Sequence, residues 1–146
     1  MNILILDSWL KEHLKTKASA KQIGEYLSLC SQSVEKINKV GNDWLYDIEI
    51  TTNRPDCLSV YGLARELAVI LPRFGIPAKL QPLAISHQPS AIKDGLPLEV
   101  KITNPSLCPR FTALIFDKIM IKSSPKIVQE RLEKSGIRAI NNVVDI

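Results

Sequence analysis

Residues 47–72, DIEITTNRPDCLSVYGLARELAVILP, decide how this chain folds. Ile48 and Ile50 alternate with Asp47, Glu49 and Thr51, the period-2 pattern of a half-buried strand. Thr52-Asn53-Arg54-Pro55-Asp56 breaks that pattern, because Pro55 lacks an amide hydrogen and disfavours helical geometry at Arg54. From Ser59, a good N-cap, Leu63, Leu67, Ile70 and Leu71 recur at helical spacing, and Pro72 and Gly75 are stop signals. The stretch therefore predicts a strand, a polar turn and the longest helix of the chain.

Working outward, MNILILDSW at residues 1–9 predicts a buried strand or the lead into a helix, with Asp7 or Ser8 as its cap and Trp9, Leu10, His13 and Leu14 along it. Ser19-Ala20-Lys21-Gln22 has the form of a capping box, opening a helix that puts Ile23, Tyr26, Leu27 and Cys30 on one face. Val34–Val40 and Trp44–Ile50 read as a hairpin around Gly41-Asn42-Asp43. The expected class is α+β, a small helical, winged-helix-like module with a hairpin, although no basic recognition helix is visible. Residues 1–80 form this module and 81–95, rich in Pro and Ser, a linker. Residues 96–146 begin a second, incomplete α/β domain.

In that second part Leu96–Ile102 and Phe111–Phe116 read as strands. Ser124-Pro125 opens a helix burying Ile127, Val128, Leu132 and the stem of Arg131, closed by Gly136. Val143–Ile146 reads as the start of another strand. Two strands and one helix with an unpaired apolar terminus cannot bury a full core, so more chain or a partner subunit is expected to complete them.

Composition limits the chemistry. The chain has 146 residues, 45% hydrophobic and 23% charged, with no apolar run near the ~18 residues of a membrane span; MNILILDSW, without a basic lead-in or a small-residue cleavage site, is not expected to be a signal peptide. The three cysteines, Cys30, Cys57 and Cys108, are dispersed, and only two histidines are present, which argues against zinc and fits a reducing compartment. Net charge is +4; residues 1–80 carry ten Lys/Arg against nine Asp/Glu, and 81–146 nine against six. That excess is compatible with RNA but forms no basic arm. Neither GxGxxG nor a Walker-type loop occurs, so no ATP site and no catalytic residue is expected here. Trp9, Trp44 and Tyr61 suit core packing better than base stacking, and Lys118, Lys122 and Lys126 suit a solvated face.

The unusual polar cluster is Asn53, Arg54 and Asp56, with Ser59, Arg65 and Glu66 close by in sequence. Arg54 has two readings: a bidentate grip on a phosphate or partner carboxylate, or a structural role in which Asn53 and Asp56 hydrogen-bond the turn backbone while Arg54 packs over the strand. An ion pair between Glu66 or Asp56 and an arginine is expected rather than catalysis.

Several segments in one order, WLKEHL (9–14), TTNRPDCLSVYGLARELA (51–68), CPRF (108–111), SPKIVQERLEKSGIR (124–138) and NNVVDI (141–146), resemble the bacterial phenylalanyl-tRNA synthetase β subunit near its N-terminus. The resemblance implies a cytoplasmic (αβ)2 enzyme that joins phenylalanine to its tRNA with ATP and Mg2+, in which the α subunit forms the adenylate. On this chain it implies no cofactor, no metal site and no catalytic residue. Partners would be the α subunit and, through the whole enzyme, phenylalanine tRNA, with no membrane and no DNA. The region from Leu96 would open the editing domain, whose hydrolytic residues lie beyond NNVVDI. The family's OB-type tRNA-binding insert has no room between Val40 and Trp44. Asn53, Arg54, Asp56, Ser59, Arg65 and Glu66 match the family's motif and are assigned to fixing the turn or an intersubunit contact. The alternatives are a free-standing tRNA-binding or trans-editing module, and a protein-interaction domain.

Overall fold

The computed structural model describes residues 1–83, 98–113, 115–116 and 118–145. Contacts divide the chain into two compact units, Met1–Leu83 with Ser123–Ile146, and Ala84–Lys122. The chain is α+β.

In the first unit the strands β1 (Asn2–Leu6), β4 (Asp43–Glu49) and β3 (Ser33–Val40) form an antiparallel sheet in the order β1-β4-β3. β4 lies between the other two, and its alternation is the one legible in sequence. Tyr46 and Ile48 are buried, as is Ile50 just beyond, while Asp47 and Glu49 point away. β3 and β4 close directly, Val40 opposite Asp43. Gly41, at φ +62°, supplies the positive φ that a type II′ two-residue turn requires.

β3 itself does not alternate in sequence, since Val34, Ile37 and Val40 are three apart. A bulge repairs the phase. Val34 pairs with Ile48 and Lys36 with Asp47, so Glu35 is the extra residue and Val34 and Ile37 turn to one face. That face meets α2 (Ala20–Cys30) at Gly24. The capping box of α2 is formed: Ser19 Oγ accepts from the Gln22 amide, and Gln22 Oε1 accepts from the Ser19 amide.

α1 (Asp7–His13) and α3 (Val60–Arg73) complete the layer over the sheet, with β2 (Leu14–Thr16) and β5 (Ala78–Leu80) as a two-stranded ribbon beside them. Leu63, Leu67 and Leu71 of α3 are wholly buried against Leu10, Leu14, Ile23 and Leu27, each contributing about 1.5–3 kcal/mol of hydrophobic stabilisation. Ser59 caps α3 through the Gly62 amide at 3.0 Å. Pro72 does not stop the helix but sits in its last turn. The stop is Gly75 at φ +75°, with Ile76 N–H donating to Leu71 O and Gly75 N–H to Pro72 O, a Schellman motif.

Several expectations are corrected. The N-cap of α1 is Leu6, with no side-chain cap. Asp7 instead accepts from the buried Tyr46 hydroxyl at 2.6 Å and from Lys11 at 2.8 Å, and Ser8 donates to Asp43. Burial and the Asp7 carboxylate push the Tyr46 phenol far above its ordinary range. Leu14 belongs to β2 rather than α1. Cys30 and Trp44 are exposed: α2 ends at Cys30, and Trp44, on the same face of β4 as Tyr46 and Ile48, stands at the hairpin end of the strand beside the start of α2, where cover is incomplete.

The helix α4 (Lys126–Lys134) has Pro125 as N-cap, while the Ser124 hydroxyl donates to Asp145 at 2.5 Å. Ile127 is exposed; Arg131 lies 5.0 Å over the Trp9 ring and pairs with Glu12. Residues 142–144 form a turn rather than a strand. In the second unit, the described residues of the strands expected at 96–102 and 111–116 are irregular. Alternation makes a strand only where a neighbour supplies a ladder, and Leu98, Val100, Phe111 and Phe116 are exposed instead. Residues 96, 97, 114 and 146, and 84–95 of the expected linker, lie outside the described residues.

Of the described glycines, Gly62 has the least room for a side chain. A Cβ there would lie 1.8 Å from the Asp56 carbonyl oxygen, which is backbone and cannot step aside. At Gly24 the nearest atom is the Ile37 Cδ1 at 2.5 Å, the end of a flexible side chain. We expect Gly62→Ala to destabilise by about 3 kcal/mol and Gly24→Ala by about 1 kcal/mol or less in urea titrations.

Candidate functional site

The turn after β4 leads through Thr51–Arg54 into a single 3-10 turn, Pro55–Leu58, and then α3. This path folds Arg54 back over its own turn. Its Nε donates to Asp56 Oδ1 at 3.0 Å and its Nη2 to Asp56 Oδ2 at 2.9 Å, a bidentate pair. The same Nη2 donates to Glu66 Oε1 at 2.6 Å and approaches Cys57 Sγ at 3.3 Å. With two hydrogens for three acceptors, the carboxylates win and the thiol is the weak contact.

Arg65, one position before Glu66 on α3, donates to Asp56 Oδ2 at 2.9 Å. Asp56 thus binds two guanidiniums and Glu66 binds one. The arginine at 54 holds the Asp56 carboxyl well below the usual carboxylate range, with Arg65 adding to the effect. Its own guanidinium is held more firmly protonated, first by Asp56 and then by Glu66. Burial pushes the Cys57 thiol up to about 11, opposite to what a nucleophilic cysteine requires.

The structure therefore brings together Arg54, Asp56, Ser59, Arg65 and Glu66. Asn53 is exposed in the turn and is not part of the cluster. Two participants carry no obvious signal in sequence. Ser31 donates to Glu66 Oε2 at 2.9 Å, and the buried Gln32 accepts from the Thr51 amide at 3.1 Å. Both stand just past the end of α2, so the network ties that helix end to the turn and to α3. Only their spatial position reveals them.

Asp56, Cys57 and Glu66 bring ligand-type atoms within 4.8 Å of one another. Arg54 Nη2 sits on all three, supplying the positive charge that a metal would bring. A carboxylate already committed to arginine is a poor general base, and the arrangement fixes geometry rather than moving protons.

The first unit also has a cleft of about 840 Å³, lined mainly by Ile3, Ile5, Trp9, Tyr61 and Ile137. His13 meets Tyr61 edge to face at 5.6 Å there. Asp47 on its rim accepts from Asn2 at 3.0 Å. Among the described residues that line it, no hydrogen bond pairs a nucleophile with a base.

Residues 107–146 match the B3/4 domain family. The chain is 33% identical over 146 residues to the phenylalanine–tRNA ligase beta subunit of Rhodopirellula baltica, covering 99% of this chain. By sequence, the chain is a relative of the phenylalanine–tRNA ligase beta subunits. That of Porphyromonas gingivalis is 41% identical over 107 residues, 73% of the chain, and that of Clostridium tetani 46% over 101 residues, 68% of the chain. The chain spans 20%, 13% and 12% of these three relatives, respectively. No solved structure gives a significant match.

Linkage gives the pH dependence of the cluster. A carboxyl whose folded pKa is depressed stabilises fully above its unfolded value of about 3.9, and the contribution is lost as pH falls through the folded value. We expect Asp56→Asn to lower the melting temperature by a constant amount from pH 5 to 8. The difference from the parent should shrink steadily below about pH 4.

Proposed function

We propose that this chain is the N-terminal, structural part of a phenylalanine–tRNA ligase beta subunit, without an active site of its own. The observation that carries the reading is the similarity to the Rhodopirellula baltica beta subunit across nearly the whole chain. The geometry agrees in kind. The charges of the cluster are spent on one another, holding a turn against a helix as a scaffold needs.

In this reading residues 1–80 are the assembly module, 81–95 a linker and 96–146 the opening of the editing-type domain, which the B3/4 match supports. Arg54, Asp56, Ser59, Arg65 and Glu66 fix the turn that the module presents to other parts of the enzyme, and Asn53, exposed in that turn, is available for an intersubunit contact. ATP and Mg2+ serve the whole ligase, and the partners are the catalytic α subunit and phenylalanine tRNA. The OB-type insert of the family would fall at the Gly41–Asn42 turn, which here is only a hairpin end. A cytoplasmic location fits the three free cysteines. Among the described residues no helix is long and apolar enough to cross a membrane.

The test is a chimera in which this chain replaces the matching segment of the Rhodopirellula baltica beta subunit, co-expressed with that enzyme's alpha subunit. The expected result is a chimera that co-purifies with the alpha subunit and charges phenylalanine tRNA. A folded chimera that fails to associate would overturn the proposal.

A further inference from the structure

The ribbon β2–β5 has an electrostatic conflict. Its register places Lys15 directly opposite Lys79, with Leu14 opposite Leu80 and Thr16 opposite Ala78. Both lysines are exposed, and directly opposed residues of an antiparallel pair hold their side chains on one face, about 5 Å apart at Cβ. Lys17 is also exposed, two residues on from Lys15. Among the described residues none of the three makes an ion pair, whereas Lys11 is committed to Asp7.

The nearest acid in sequence, Glu12, three residues before Lys15, is taken up by Arg131. His13–Gly24 contains Lys15, Lys17 and Lys21 but no Asp or Glu; Leu67–Lys93 contains Arg73, Lys79 and Lys93 and again none. The lysine backbones are held in place. Leu14 is wholly buried, Gln81 N–H donates to His13 O at 2.8 Å, and Thr16 Oγ1 donates to Pro77 O at 2.9 Å. Single lysines on a short ribbon guard its edges against strand pairing. A facing pair goes beyond that need, because like charges directly opposite destabilise the ribbon.

We propose that the Lys15–Lys79 face, extended by Lys17, is a contact surface for the phosphate backbone of an RNA. A polyanion lying across the ribbon would convert the repulsion into attraction and release condensed counterions. The face offers ammonium groups without planar donors for base edges, so it would position an RNA without reading its sequence. The choice of RNA over an acidic protein segment rests on the tRNA-ligase reading above.

The experiment is filter binding of the chain to a labelled RNA hairpin across a salt series, with a polyglutamate peptide of matched charge as competitor. The variants are Lys15→Gln with Lys79→Gln, and Lys118→Gln as a surface control in the other unit. We expect the double variant to lose about tenfold or more in affinity, with the slope of log K against log salt smaller by about 2. Its melting temperature should be equal or higher, since a repulsion has been removed. Unchanged affinity and slope, no RNA binding by the parent chain, or polyglutamate displacing RNA at equal charge would each overturn the inference. These outcomes leave alpha-subunit association in the chimera untouched, so the two proposals fail separately.

Discussion

The Asp56 carbonyl lies so close to the Cα of Gly62 that no side chain fits between them, and the rest of the module depends on that approach. It sets the direction in which α3 leaves the turn. With that direction set, Leu63, Leu67 and Leu71 fall onto the leucines and isoleucine of α1, β2 and α2. Arg54, by gripping Asp56 and Glu66 together, clamps the turn to the helix across the same gap. Each ion pair is partly exposed and individually weak in water. Their value is geometric, because a bidentate arginine with a third acceptor fixes three segments in one orientation.

A second polar lock lies at the other end of β4. Tyr46 reaches through the core to Asp7, tying the central strand to the start of α1, while Ser8 holds Asp43 at the hairpin end. The buried hydroxyl would cost about 1–3 kcal/mol if unpaired, so removing Asp7 alone is worse than removing both partners together. The module is thus an apolar core closed at both ends by carboxylates that are engaged in positioning.

How much of this was legible in sequence depended on whether the signal was local. Ser19 with Gln22, Gly41, Ser59 and Gly75 carry their structural role in their own chemistry, and each does what its residue type predicts. The alternation of β4 was equally plain. What escaped was set by contacts distant in sequence. The Glu35 bulge exists because Val34 and Ile37 must both face Gly24. The β2–β5 ribbon joins two three-residue strands separated by more than sixty residues, too short to show a period. Asp7 looks like a cap until Tyr46 arrives from β4. In the candidate site, Arg54, Asp56 and Glu66 stood out by their spacing, but Ser31 and Gln32 are ordinary residues until the end of α2 is brought beside them. Past residue 97 the apolar alternation misled, because no ladder partner stands beside it among the described residues.

The central claim is that the Arg54 cluster is a mechanical clamp joining turn and helix. A double-mutant cycle of Arg54→Ala and Glu66→Ala, read by urea denaturation at pH 7, tests it most directly. The account predicts clear coupling, with the double variant no less stable than the worse single variant. Strictly additive losses would mean that the two side chains do not act together, and would contradict the clamp.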